Sequence, residues 1–338
     1  MKIKSSIKDY NIEFSNNFKN SLLKIYNEGD IVIVDNNIDI PLKNIHLIKI
    51  DISENTKSFE YLPILLDKIL GNFNKSNKLI AVGGGITQDI VSFISSILFR
   101  GVDWVFFPTT LLAQGDSCIG GKTSINYKNY KNQLGNFNPP NTIIICDSFL
   151  ETLPEIDLRS GLGEMLHFYL VSGLSDYTFF KKNTNNIRIL VKRCLEIKKT
   201  FVEIDEFDKK ERLILNYGHT FGHAIEASNN YASPHGITVS LGMDIANFIS
   251  YQKGYINKAT FNEIHNTLKS IYKDLKIPNI EKIVEALKKD KKNTNSNLTC
   301  VLTKGIGNMF LDELDYLTVK NYLKQYEKEF IHTSSSLR

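Results

Sequence analysis

Three of the seven histidines fall within seventeen residues: His219 and His223 in YGHTFGHA, and His235 in SPHG. An i, i+4 spacing puts His219 and His223 on one helix face, as in H-E-x-x-H metal sites. His235 is placed to return at the start of the next helix. Glu164, in GLGEMLH, sits in a largely apolar helix where an unpaired carboxylate is costly, so a divalent metal is a natural partner. Two histidines and a glutamate leave one coordination position open, the pattern of a catalytic site. A hydrogen-bonded core pair accounts for the same histidine spacing, and spacing alone does not choose. Arg212 and Asn216 stand i, i+4, with His219 three further on, so a helix over 209–228 is expected to line all three on one face. Lys198, Lys291 and Lys292 recur nearby at helical spacings, although the last two sit in the run KKDKKN, where a solvated lysine is the plainer reading.

A second chemistry-bearing segment is Gly83-Gly84-Gly85 followed by Ile86, Thr87, Gln88 and Asp89. Glycines after a strand let backbone approach a ligand, and the N–H groups opening a helix attract an anion such as a pyrophosphate. The motif is not a full G-x-G-x-x-G, and a tight structural turn competes with cofactor binding. The stretch 108–137 is polar and places Asp116, Gly120, Gly121, Lys122, Thr123, Lys131 and Asn132 between two strands. So long a connection is more often functional than a spacer. Its Gly-Lys-Thr is similar to the end of a Walker A loop, but Asp116 occupies the place of the first glycine, which argues against an ATP-hydrolysing P-loop.

The elements that must position these groups are readable in outline. IVIVD (31–35), IHLIKI (45–50), LIAVGGG (79–85), VDWVFFPTT (102–110) and TIIICD (142–147) read as strands. They alternate with helices at 58–73 and 88–99, the order of a parallel sheet covered on both faces. Beyond about 153 the pattern turns helical: 186–203, 209–228, 236–254, 258–275, 280–289 and 317–329, with a hairpin around Gly305 and Gly307. The expectation is an α/β nucleotide-type domain over 1–157 followed by a mostly α-helical domain over 158–338.

Composition supports an ordinary globular chain. Of 338 residues, 42% are hydrophobic and 23% charged, which excludes disordered and collagenous classes. Forty-one basic against 37 acidic residues give a net charge of +4 with no basic stripe, so no nucleic-acid partner is expected. The N-terminus lacks an apolar signal core, and the longest apolar run, Ile90 to Phe99, is too short for a membrane span. Cys118, Cys146, Cys194 and Cys300 form no C-x-x-C pair, fitting reduced thiols in a cytoplasmic protein with no membrane partner.

Together GGGITQD, FRG, PTTLLAQGDSCIGGKT, KNQLGNF, TLPEIDLRSGLGE, NYGHTFGHAIEA, SPHG and DKK resemble, in order and spacing, the 3-dehydroquinate synthase family of sugar phosphate cyclases, from about residue 45 to 310. The resemblance implies an N-terminal NAD-binding, Rossmann-like domain, a helical metal- and substrate-binding domain, an active site in the cleft and a homodimer. It implies that Glu164, His219 and His235 bind the metal, normally zinc and otherwise cobalt, with His223 beside them contacting phosphate. NAD contacts are implied at Gly84, Gly85, Ile86, Gln88, Asp89, Thr109, Thr110, Lys122, Lys131, Phe149 and Thr152, with Glu54 and Lys57 toward the adenosine. Substrate contacts are implied at Asp116, Lys122, Asn132, Lys198, Arg212, Asn216 and a lysine of DKK, Lys291, and at Arg100, which reaches the partner subunit's site. The implied reaction converts 3-deoxy-arabino-heptulosonate 7-phosphate to 3-dehydroquinate, the shikimate-pathway step, by transient oxidation, phosphate elimination, reduction and an intramolecular aldol closure. Basic residues suit so anionic a substrate.

Three positions depart from the family pattern. His167 stands where lysine is usual, Ile237 where glutamate follows His-Gly, and Gln88 where a glycine is usual. Lysine to histidine exchanges a permanent charge for a group near neutral at pH 7. That keeps in view a sibling cyclase acting on sedoheptulose 7-phosphate or glucose 6-phosphate. A metal-dependent polyol dehydrogenase and a non-catalytic binder are the readings from other classes.

Overall fold

The computed structural model describes residues 1–71, 73–128, 130–275, 277–289 and 297–330. The chain divides into two compact units, the first from Met1–Pro154 with Lys198–Asp208, the second from Glu155–Ile197 and from Lys209 onward.

The first unit contains β1 (Lys2–Ile3), β2 (Tyr10–Ser15), α1 (Phe18–Ile25), β3 (Ile31–Asp35), β4 (His46–Ile50), α2 (Leu62–Leu70), β5 (Leu79–Gly83), α3 (Gly85–Ile97), β6 (Trp104–Pro108), β7 (Ile125–Tyr127), β8 (Tyr130–Leu134) and β9 (Thr142–Cys146). Seven of these strands form one sheet in the order β1-β2-β9-β6-β5-β3-β4. All neighbours are parallel except β1 with β2. The β-branched and aromatic runs of β5 and β6 are buried throughout, as a sheet covered on both faces requires. Alternate residues Val32, Val34, Ile80, Val82, Val105, Phe107, Ile144 and Cys146 form one core face, closed by Leu22 and Phe18 of α1. Lys198–Asp208 belongs with this unit because Ser5 and Ser6 hydrogen-bond Glu206 and Phe137 packs edge-on to Phe207 at 5.0 Å.

The second unit contains α4 (Glu155–Ser172), α5 (Leu174–Lys182), most of α6 (Ile187–Ile204), α7 (His219–Ser228), α8 (His235–Gln252), α9 (Lys258–Tyr272), α10 (Ile280–Lys289), the antiparallel hairpin β10 (Asn297–Thr303) with β11 (Met309–Asp315), and α11 (Tyr316–Phe330). From Gly236 to Ser250 every residue of α8 is buried, so this helix is the axis on which α4, α7 and α9 pack. Its buried Asp244 gathers His265, Tyr272 and Tyr326 on one carboxylate oxygen, Oδ2.

Two expectations are corrected. The helix expected over 209–228 is broken: Glu211–Asn216 is a 3-10 segment, Tyr217 is extended, and Gly218 sits in the left-handed region at φ 83. A Cβ at Gly218 would lie 2.4 Å from Met243 Cγ and 2.7 Å from the Val239 carbonyl oxygen, so α8 dictates the break. Arg212, Asn216 and His219 therefore do not share one continuous helix face. The stretch 108–137 is not an unstructured connection either. It holds a helical turn at Ala113–Ser117 and the hairpin β7–β8, tied down by Asn126 N–H donating to the Lys57 carbonyl.

Candidate active site

In the first unit the chain steps outward from β3 to β4 at one edge, returns to β5, and then steps through β6 and β9 toward the other. The direction of winding reverses between β3 and β5, and ligands of open α/β sheets bind at the carboxyl ends of strands at such a switch point. The glycine loop lies there, at the end of β5. Its glycines differ in kind. A Cβ on Gly83 would strike Thr87 Oγ1 at 2.2 Å, so this position is required by α3 packing onto its own strand. A Cβ on Gly85 would meet nothing closer than Ser117 Oγ at 3.8 Å, leaving open space over a helix start that has no side-chain cap.

Side chains around this loop are already ordered by one another. Gln88 donates through Nε2 to the Ser117 carbonyl and accepts from Ser117 Oγ, both at 2.7 Å. Thr110 Oγ1 caps the following turn by accepting from Ala113 N–H, and Thr109 N–H donates to the Gly83 carbonyl. Ile86 is half-buried. Lys57 pairs with Asp89 at 2.5 Å, and Glu54 pairs with Lys131 at 3.0 Å while accepting from Asn126. Burial pushes the Asp89 carboxyl up to about 6 despite the opposing Lys57 ammonium. Lys198 reaches the Asp116 carboxylate at 2.7 Å, and Lys122 reaches Asp208. Asn132, at φ 55, accepts from Ser124 Oγ. Phe149 is partly buried and packs on Phe18 at 4.8 Å, Thr152 is exposed, and Arg100 is exposed on a turn where Phe99, Arg100 and Gly101 have φ of 49, 66 and 115.

In the second unit α4, α7 and α8 bring Glu164, His219 and His235 together from positions up to 71 apart. The helices meet through small residues: a Cβ on Gly236 would lie 1.8 Å from the Ser160 carbonyl oxygen. Glu164 is 2% exposed. His219 Nε2 lies 3.3 Å from its Oε1 and His235 Nε2 lies 3.2 Å from its Oε2. The three donor atoms fall within 4.8 Å of one another, and no hydrogen-bond donor reaches Glu164 Oε2. Burial alone would raise the Glu164 carboxyl, but the two imidazoles outweigh it and hold it well below its usual range. Burial would likewise lower His235, yet the Glu164 and Glu226 carboxylates hold it well above. Two imidazole nitrogens and a buried carboxylate oxygen gathered within 4.8 Å fit a divalent cation of the zinc or cobalt kind.

Around this centre His223 is exposed one turn along α7, its ring 5.5 Å from those of both His219 and His235. It borders a cavity of about 510 Å³ with Thr220, Lys282 and Lys289. His167 is buried, its ring 3.7 Å from Phe168 and edge-on to His219 at 5.1 Å, with Nδ1 2.5 Å from the Glu164 carbonyl oxygen. Arg212 is buried, Asn216 Nδ2 donates to the Leu213 carbonyl, and Ile237 is buried. Lys291 and Lys292 lie outside the described residues. Sequence reasoning missed Glu226, which bonds His235 Nδ1 at 2.8 Å, and Asn126, which fixes Glu54. The available signal was an acid in the apolar helix HAIEA, three residues after His223.

A parallel sheet with a glycine loop at its switch point, followed by helices holding a Glu-His-His centre, defines a dehydroquinate synthase-like, two-unit metal enzyme fold. The chain belongs to the 3-dehydroquinate synthase family: the family model of the N-terminal part matches residues 47–160 and that of the C-terminal part 161–293. It is 37% identical over 286 residues to a 3-dehydroquinate synthase of Dictyoglomus thermophilum, covering 81% of each chain. Among solved structures it is similar to 2-deoxy-scyllo-inosose synthase complexed with carbaglucose-6-phosphate, NAD+ and Co2+, with a TM-score of 0.85 at 21% identity over 96% of this chain and 99% of that one. A 2-epi-5-epi-valiolone synthase from Streptomyces hygroscopicus subsp. jinggangensis 5008, with NAD+ and Zn2+ bound, gives a TM-score of 0.83 at 21% identity, covering 96% and 99%.

Proposed function

We propose that this protein is a 3-dehydroquinate synthase that uses NAD and a divalent metal, zinc or cobalt, to convert 3-deoxy-arabino-heptulosonate 7-phosphate into 3-dehydroquinate and inorganic phosphate. The observation that carries this is the buried Glu164–His219–His235 centre in a chain of this family. When bound, NAD supplies a reversible hydride acceptor and the metal polarises a substrate hydroxyl. The chain's own residues hold, orient and neutralise. Glu164, His219 and His235 would hold the metal. Gly84, Gly85 and the opening turn of α3 cradle the cofactor diphosphate, with Glu54, Lys57, Asp89, Thr109, Thr110 and Lys131 around it. Lys198, braced by Asp116, and Arg212, Lys122, Asn132, Asn216 and Lys291 neutralise a substrate carrying both carboxylate and phosphate. His223, exposed one turn along α7, contacts the substrate phosphate. The active form is a cytoplasmic homodimer, with Arg100 offered to the partner's site from its strained turn. No described helix is long and apolar enough to cross a membrane.

The test is a turnover assay of metal-loaded, NAD-loaded protein. Phosphate release from the heptulosonate phosphate with no net NADH is expected, whereas accumulating NADH would replace this reading with a polyol dehydrogenase. One observation favours a second reading, a sibling cyclase acting on an uncarboxylated sugar phosphate: His167 presents an imidazole beside His219 where the family resemblance places lysine. Comparing phosphate release from the heptulosonate, sedoheptulose 7-phosphate and glucose 6-phosphate separates the two. His167→Lys is expected to raise heptulosonate turnover about tenfold relative to the other two substrates. Equal change on all three would make His167 a packing residue.

A further inference from the structure

Of the three residues of the metal centre, His235 has the most exposed side chain, about one-third against 14% for His219. Like His219 at the start of α7, it is the first residue of its helix, with no helical turn before it to limit its χ angles. Its counterpart His219 is anchored through Nδ1 to the Tyr217 carbonyl at 3.3 Å. His235 is anchored instead to a carboxylate on another helix. Its Nδ1 lies 2.8 Å from Glu226 Oε1, and Glu226 is itself 9% exposed and accepts from Thr238 Oγ1 at 3.1 Å. Thr238 is fully buried, and its single hydroxyl proton, shared between the Glu226 carboxylate and the His235 carbonyl at 2.7 Å, links the carboxylate to the start of α8.

From this geometry we infer that Glu226 is the positioning residue of the metal centre. It accepts the Nδ1 proton of His235, so the lone pair is presented on Nε2, the atom facing Glu164. A histidine left to itself has two nearly equivalent tautomers, and only one of them offers Nε2 to a metal from this ring position. An ionised acceptor on the far nitrogen selects that tautomer, fixes the ring plane and makes the ligating nitrogen more basic. Glu226 also lies with His223 and His235 in a second group whose ligand atoms fall within 4.8 Å of one another. A carboxylate serving as anchor predicts one metal ion per chain. A carboxylate serving as ligand predicts two.

The inference rests on the metal assignment proposed above, and its test reads metal binding without turnover. Zinc affinity is measured by competition with a chromophoric chelator, and metal content by elemental analysis, on the full chain and on Glu226→Gln, Glu226→Asp and Thr238→Val. Glu226→Gln keeps the shape and a neutral acceptor while removing the charge. It is expected to bind zinc 10- to 100-fold more weakly at one equivalent per chain. Glu226→Asp should regain part of the loss, and Thr238→Val should cost a few-fold. The cobalt form of Glu226→Gln should show a shifted visible spectrum, because the ring carrying Nε2 is no longer held in one orientation. Metal-free wild type and Glu226→Gln should melt within about 2 °C of each other. Unchanged zinc affinity and cobalt spectrum in Glu226→Gln would overturn the positioning role. Two equivalents in the wild type and one in the variant would overturn it in favour of direct ligation. If the wild type took up no metal, the metal centre itself would fail; if it bound metal tightly but released no phosphate, only the proposed activity would fail.

Discussion

The glycine loop of the first unit and the histidine centre of the second are built by opposite means. At the loop the groups a ligand could take are the main-chain N–H groups that open α3, from Gly85 to Thr87, aimed by the end of a buried strand, since Gln88 N–H already donates to the Gly84 carbonyl. At the centre they are three side chains from three helices, of which α7 and α8 are joined by the short turn after Ser228 while α4 comes from much earlier in the chain. A backbone site tolerates change around it as long as the strand-to-helix turn survives. A side-chain site fails if any one donor is lost, or if its helices move by the width of a methyl group.

That contrast ranks the experiments. The largest effect is expected from Glu164→Ala or His219→Ala, which should abolish metal retention and lower turnover by about 10³ or more, while leaving NAD affinity within about twofold. Undiminished metal content in either variant would refute the ligand assignment. Next is Gly236→Ala. Its methyl group would intrude to 1.8 Å from the Ser160 carbonyl oxygen, forcing α4 and α8 apart, and a loss of about 3 kcal/mol together with most of the metal affinity is expected in denaturant and chelator titrations. If the variant melts like the wild type, the helices are not held at that distance. Smaller is Gly85→Ala, where open space means that the fold should be kept and NAD should bind about tenfold more weakly by fluorescence titration. Wild-type affinity there would remove the loop from the cofactor site.

The smallest concerns Asp89. Its carboxyl is raised by burial to about 6, so the folded chain holds a proton that the unfolded chain gives up at lower pH. The resulting stability is fully present below about pH 4 and is lost as pH rises through 6. The melting temperature of Asp89→Asn relative to wild type should therefore climb by a few degrees between pH 4 and 7. A difference that stays flat would mean that Lys57 compensates the buried charge completely.

Of the seven sheet strands, β3, β4, β5, β6 and β9 were readable because β-branched runs such as IVIVD and TIIIC carry their burial in their own composition, whereas the short, more polar β1 and β2 were not read as strands. The helices α9 and α10 were readable because their apolar residues recur with a single period. The break at Gly218 was not, since nothing within residues 209–228 departs from helical periodicity. What interrupts that helix is the backbone of Val239 and the side chain of Met243, which lie more than twenty residues away in sequence. The turn at Ala113–Ser117 and the hairpin after it were missed for a related reason: their order comes from Gln88, Thr110 and Lys57 rather than from an apolar face.

By itself, then, the sequence determined which residue types were available and what chemistry they favour: an i, i+4 histidine pair, a carboxylate in an apolar helix, glycines between a strand and a helix. Those are local matters of covalent spacing and solvation. Only the tertiary structure decided that the donor atoms of Glu164, His219 and His235, which the family resemblance had already grouped, lie within 4.8 Å of one another, and that Glu226 bonds His235 Nδ1. Each of these depends on how closely two helices approach, and that distance is set by side-chain volumes at contacts such as Gly236 on Ser160, which no single segment contains.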